Sequence, residues 1–109
     1  MPTPDIQIVL TTCPDSETAG ALARSLVSEA LAACVNILPA AQSVYSWKGK
    51  IESESEHVLL IKSPVRNYAA IEARIKALHP YELPEIVAVP IVTGLAEYLA
   101  WVSDPRKEE

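Results

Sequence analysis

Apolar residues along this chain alternate between runs short enough to be strands and stripes spaced for helices, in an order that few folds accept. Ile6-Gln7-Ile8-Val9-Leu10 is a short β-branched run that reads as a buried strand, ended by Pro14. Behind a cap at Asp15 or Ser16, the residues Ala19, Leu22, Ala23, Leu26, Val27, Ala30 and Leu31 recur at helical spacing. A second strand begins over residues 34–37, breaks at Pro39 and resumes over 43–47. Gly49-Lys50 suits a two-residue type II′ turn, and residues 51–62 are the return strand. Ser63-Pro64 reads as a cap followed by Pro at the first helical position. Val65, Tyr68, Ile71, Ile75 and Leu78 form the stripe of this second helix, and Pro80 takes His79 out of it. Residues 86–89 are a further buried strand. Leu95, Tyr98, Leu99 and Val102 mark a short third helix, and residues 103–109 form a polar tail expected to fray.

The order strand, helix, strand, strand, helix, strand, helix is the split βαβ pattern of an α+β, ferredoxin-like βαββαβ fold. An antiparallel sheet with two helices on one face and a short C-terminal helix is expected. Right-handed crossovers give the sheet order 4-1-3-2. With 109 residues the chain reads as one domain over 1–109, its core spanning 6–102.

Charge and composition exclude several functions. The formal net charge is −5, and the only basic run is Arg106-Lys107, so a nucleic-acid partner is not expected. Met1-Pro2-Thr3-Pro4-Asp5 lacks the basic and apolar regions of a signal peptide, and no apolar stretch is long enough for a membrane span. The two cysteines, Cys13 and Cys34, read as free thiols in a reducing compartment. The expected location is the cytoplasm, with no membrane partner. Three glycines supply no phosphate-binding loop, and no Ser-His-Asp or Cys-His motif is present, so the chain does not read as an enzyme.

The inferred topology gathers the unusual residues at one end of the sheet. The first strand runs opposite to both neighbours, so Thr11-Thr12-Cys13 meets the segment His79-Pro80-Tyr81-Glu82-Leu83-Pro84-Glu85 that precedes the last strand. Glu54, Glu56, Tyr45 and Trp47 fall at the same end, and Lys62 at the other. With Gly49-Lys50 as the turn, Trp47 pairs with Glu52 and Tyr45 with Glu54, which puts aromatics and carboxylates on one face of a long ribbon. That ribbon is either an oligomer interface or the wall of a ligand cleft, and both hold if ligands sit between subunits.

Thr11-Thr12-Cys13-Pro14-Asp15, Leu31-Ala32-Ala33-Cys34-Val35-Asn36-Ile37 and Ser43-Val44-Tyr45-Ser46-Trp47-Lys48-Gly49-Lys50-Ile51 resemble segments of the CutA family of divalent-cation tolerance proteins. So do the segment from His79 to Glu85 and Tyr98-Leu99-Ala100-Trp101. The resemblance implies a ferredoxin-like homotrimer whose subunits join their sheets edge to edge, similar in architecture to the PII signalling proteins. It also implies a link to divalent-metal tolerance, copper especially. In some members the proposed copper ligands are a Cys in the first strand and a His pair ending the second helix. Here the Cys position falls on Thr11 and the first His on Leu78, so only His79 matches.

Cys13, two residues beyond Thr11 and on the same side of a strand, is the candidate replacement. His79, Cys13 and Glu85 together offer an imidazole, a thiol and a carboxylate, a donor set that suits copper or zinc, although no CxxC, HxH or HExxH spacing supports it. The alternatives are a helix-ending His79 with its ring hydrogen-bonded, a Glu85 bonded to backbone N–H groups, and a buried apolar Cys13. Glu54 and Glu56 form a paired-acid site, stay solvated, or pair with Lys or Arg of a neighbour. Tyr81 gates the convergent end or packs over it. Trp101 lies outside its helix stripe and is a candidate intersubunit contact. Two functions follow: a trimeric metal-responsive protein, or a PII-like sensor or scaffold with an intersubunit cleft.

Overall fold

The computed structural model describes residues 4–106. Its elements are β1 (Ile6–Cys13), α1 (Ser16–Ser28), β2 (Cys34–Trp47), β3 (Lys50–Pro64), a 3-10 turn (Val65–Asn67), α2 (Tyr68–Leu78), β4 (Val87–Ile91) and α3 (Ala96–Ser103). The four strands form one antiparallel sheet in the order β2-β3-β1-β4, as the crossover argument requires. The basic dipeptide's Lys107 and the end of the tail, residues 107–109, lie outside the described residues.

Asp15 caps α1, accepting a 2.7 Å hydrogen bond from the Thr18 N–H. The helix stops at Ser28, short of the Ala30 and Leu31 that its stripe suggested. Ala30 takes φ 61°, and the N–H groups of Ala30 and Leu31 turn back onto the carbonyls of Val27 and Leu26 at 3.0 Å each. That is a Schellman ending with alanine where glycine is usual. Ala19, Leu22 and Leu26 are buried with Val9, Leu59, Ile61, Ile71 and Ile75, so α1 and α2 cover one face of the sheet. Ile6 lies on the opposite face, where Leu99 and Val102 of α3 pack on it beside Ile91.

Three local expectations are corrected. Ser63-Pro64 does not start a helix, because both residues stay paired with Gln7 and Ile6 of β1, and the Ser63 hydroxyl accepts a bond from the Gln7 amide. The helix begins only at Tyr68, and Val65 and Leu78 are exposed. Pro39 does not divide β2. A bulge between Leu38 and Ala41 absorbs it, with Ala40 at φ 62°. The ribbon turns at Lys48-Gly49, with φ of 52° and 81°, both positive as a type I′ turn demands. Trp47 therefore pairs with Lys50, and Tyr45 with Glu52. The shift from the expected register is two residues, an even number, so the aromatics and carboxylates still share a face.

The ribbon makes the molecule elongated, 50 × 25 × 23 Å. Its outer part has neighbours only within itself, and it exposes Val44 (67%) and Ile51 (76%) on the face opposite the carboxylates.

Candidate functional site

The end of the sheet where β1 finishes opens into a cleft of about 800 Å³. One wall is the ribbon face bearing Tyr45, Trp47, Glu52, Glu54 and Glu56; the other is the loop carrying Pro80, Tyr81, Glu82, Leu83 and Glu85. Strand alternation puts the three ribbon glutamates on one face, and the loop lies opposite because β4 starts beside Leu10. The lining holds five carboxylates and no Lys, Arg or His.

His79 fixes the loop. It is the C-cap of α2 and is 9% exposed. Its Nδ1 accepts the Tyr81 N–H at 3.1 Å, so Nε2 carries the proton and donates it to the Thr12 carbonyl at 2.6 Å. The rings of His79 and Tyr81 lie 4.7 Å apart at 52°. From there Tyr81 reaches the ribbon and donates its phenol to Glu56 Oε2 at 2.6 Å. Glu56 is only 6% exposed. Burial pushes the Tyr81 phenol far above the ordinary tyrosine range, and the hydrogen bond and charge of Glu56 push it further. The Tyr45 phenol is also raised, by desolvation first and then by Glu54, Glu52 and Glu56.

The sequence-derived candidates divide. Tyr45, Trp47, Glu54, Glu56, Tyr81 and Glu85 all line the cleft. His79 stands behind it with both ring nitrogens engaged. Cys13 is fully buried on the helix-covered face, packed with Ala19, Leu22 and Leu26, and does not line the cleft. Burial, then Asp15 and Glu56, push its thiol up to about 11. His79, Cys13 and Glu85 are therefore not gathered into a ligand set, and among the described residues no group of three or more His, Cys, Asp or Glu side chains is placed to hold a metal ion. Thr11 and Leu78 do not complete one: Thr11 is buried in the same core, its hydroxyl without a partner, and Leu78 is exposed. Trp101 lies on α3, next to Tyr98 and outside the cleft. His57, opposite Cys13, has an Nδ1 that is buried without a partner. Sequence reasoning did not single out Glu52 or Glu82 as site residues. The period-2 pattern of Glu52, Glu54 and Glu56 was the available signal for the first, and nothing local marked the second.

Known proteins with this sequence pattern share the fold. The family model described as CutA1 divalent ion tolerance protein matches residues 7–105. The divalent-cation tolerance protein CutA of Thermus thermophilus is 46% identical over 98 residues, covering 90% of this chain and 95% of that protein. The crystal structure of CutA from Xylella fastidiosa is 49% identical, with a TM-score of 0.88 over 90% of this chain and 94% of that one. That of CutA1 from Oryza sativa is 40% identical, with a TM-score of 0.92 over 98% of both chains. The curated chloroplastic rice protein is longer, and this chain spans 57% of it at 42% identity over 93% of its own length. A family model covering nearly the whole described chain, joined by relatives of this identity and likeness of fold, places it in the CutA1 divalent ion tolerance family.

Proposed function

We propose that this protein is a binding protein, not an enzyme, that serves divalent-cation tolerance as a cytoplasmic homotrimer and meets cations at the acidic cleft. The observation that carries the reading is the lining: five carboxylates and no cationic side chain around one cavity. Carboxylate oxygens attract divalent cations without a fixed geometry and leave the ions part of their water. A copper or zinc centre on His79, Cys13 and Glu85 does not fit the chain as folded. A metal on the imidazole must displace either the Thr12 carbonyl or the Tyr81 N–H, and the Cys13 thiol holds its proton within the core. The exposed apolar residues of the ribbon support assembly, and two free cysteines suit a reducing compartment. A second reading, a PII-like small-molecule sensor, draws on the aromatic walls Tyr45, Trp47 and Tyr81 of the same cleft.

The test titrates Cu²⁺, Zn²⁺ and Mn²⁺ into the wild type, a Glu54→Gln/Glu82→Gln double variant and His79→Ala, following Trp fluorescence and heat. The glutamate variant is expected to bind each ion at least tenfold more weakly, and His79→Ala to bind within a few-fold of wild type. Unchanged binding by the glutamate variant together with lost binding by His79→Ala overturns the reading in favour of an imidazole centre. A wild type that binds none of the three ions overturns it altogether.

A further inference from the structure

Glu52, Glu54 and Glu56 occupy alternate positions of β3, and all three line the cleft. At about 3.3 Å per residue they stand roughly 7 Å apart along the ribbon, a row and not a cluster. A calcium-sized ion needs oxygens converging at about 2.3–2.6 Å, and among the described residues no three acidic side chains are placed to do so. None of the three has a cationic partner: among the described residues the single salt bridge joins Arg74 to Glu29 on the helices. Glu56 lies deepest, 6% exposed. Its Oε2 accepts the Tyr81 phenol, and no hydrogen bond among the described residues reaches its Oε1. A carboxylate so buried, with one oxygen unpartnered, calls for a charged donor. Much of the remaining lining is aromatic or apolar, with Tyr45, Trp47, Tyr81 and Leu83 on the two walls. The Trp47 ring already draws one ammonium, that of Lys48, 5.6 Å from its centroid.

We propose that the cleft takes a linear aliphatic polyamine, its ammonium groups spaced along Glu52, Glu54 and Glu56 and its methylene spacers against the rings of Tyr45, Trp47 and Tyr81. The proposal rests on the reading of the cleft as a cation site and names the kind of cation that fits it. A four-carbon spacer holds two ammonium groups about as far apart as alternate residues of a strand. An ammonium brings three N–H donors, so one at the inner end serves Glu56 Oε1 and leaves the Tyr81 bond in place. Methylene groups laid on ring and leucine surface leave water, a gain that a hydrated metal ion does not have. Polyamine and divalent ions draw on the same carboxylates, so each lowers the affinity for the other.

The experiment titrates spermidine, hexaamminecobalt(III) and Mn²⁺ into the full-length chain by calorimetry at about 150 mM NaCl, where nonspecific charge attraction is screened. Spermidine and the cobalt complex carry the same three positive charges, but only spermidine has methylene spacers. The wild type is expected to bind spermidine at least about fivefold more tightly than the cobalt complex, a comparison that needs no variant to fold. Glu52→Gln/Glu54→Gln, checked by circular dichroism, is expected to weaken spermidine at least about fivefold. Trp47→Leu is expected to weaken spermidine about threefold and to leave Mn²⁺ within twofold. A wild type that binds Mn²⁺ but holds spermidine no better than the cobalt complex overturns the proposal and leaves the cleft a cation site. Unchanged spermidine binding by the folded glutamate variant puts the ligand elsewhere and overturns it too. Preferential spermidine binding without Mn²⁺ binding upholds the proposal and overturns the divalent-cation reading. A chain that binds none of the three overturns both.

Discussion

Replacing Tyr81 by Phe removes one oxygen and keeps the ring against His79, so it isolates the bond to Glu56. That bond is short, 2.6 Å between oxygens, and the acceptor is 6% exposed. No other hydrogen bond to the Glu56 carboxylate is present among the described residues. A hydrogen bond to a charged group is worth about 1.5–3 kcal/mol, and losing a buried one strands its partner, so about 2 kcal/mol per chain is expected. The assay is guanidinium unfolding at one fixed protein concentration, since assembly adds a concentration-dependent contribution to stability. A double-mutant cycle with Glu56→Gln should give a coupling of roughly 1 kcal/mol or more. The pH dependence has a definite sign. The folded state raises the phenol's pKa, so folding favours the neutral form. Its contribution is complete below the unfolded value of about 10 and is lost as the pH climbs through the higher folded value. The stability gap between wild type and Tyr81→Phe should therefore stay level up to about pH 10 and shrink above it. A loss below about 0.5 kcal/mol, or a coupling of zero, refutes the claim that this bond ties the loop to the ribbon.

Burial holds the Cys13 thiol at about 11, so at pH 8 a disulfide reagent should label only Cys34 in the native chain and both cysteines after unfolding. Native labelling mapped to Cys13 contradicts its place in the core. A Cβ at Gly94 meets Leu99 Cδ2 at 3.1 Å and Cγ at 3.3 Å, and Leu99 is buried between α3 and the sheet, beside Ile6. Gly94→Ala is expected to cost about 1–2 kcal/mol by overpacking, and an unchanged melting temperature by calorimetry refutes it.

What was legible in the sequence follows from what is local. The Leu22 and Leu26 stripe and the Asp15 cap depend on neighbours within a turn or two, and both read correctly. The central place of the first strand followed from chirality rules and carried with it the convergence of Thr12 with His79. Ser63-Pro64 misled because its local meaning, a helix start, lost to pairing with residues more than fifty positions away. Pro39 misled because a bulge leaves a proline's missing N–H harmless. The same-side argument for Thr11 and Cys13 was correct, but period 2 does not say which side the helices cover, and they cover this one. The bond from Tyr81 to Glu56 spans 25 residues and depends on the loop's exact path, which no spacing encodes.

β1 comes earlier in the sequence than both strands it pairs with, so both its edges wait for partners. Thr12 pairs with Val58 and Leu10 with Val87, so one edge stays bare until β3 is made and the other until β4 is made. Contacts so distant along the chain make folding slower than helix content alone would suggest. On the ribosome, β1 and α1 emerge with nothing to complete them, and the cleft takes shape only once β4 has closed the sheet. The nascent chain is thus most open to mispairing with a neighbouring polypeptide while β3 and β4 are still to come.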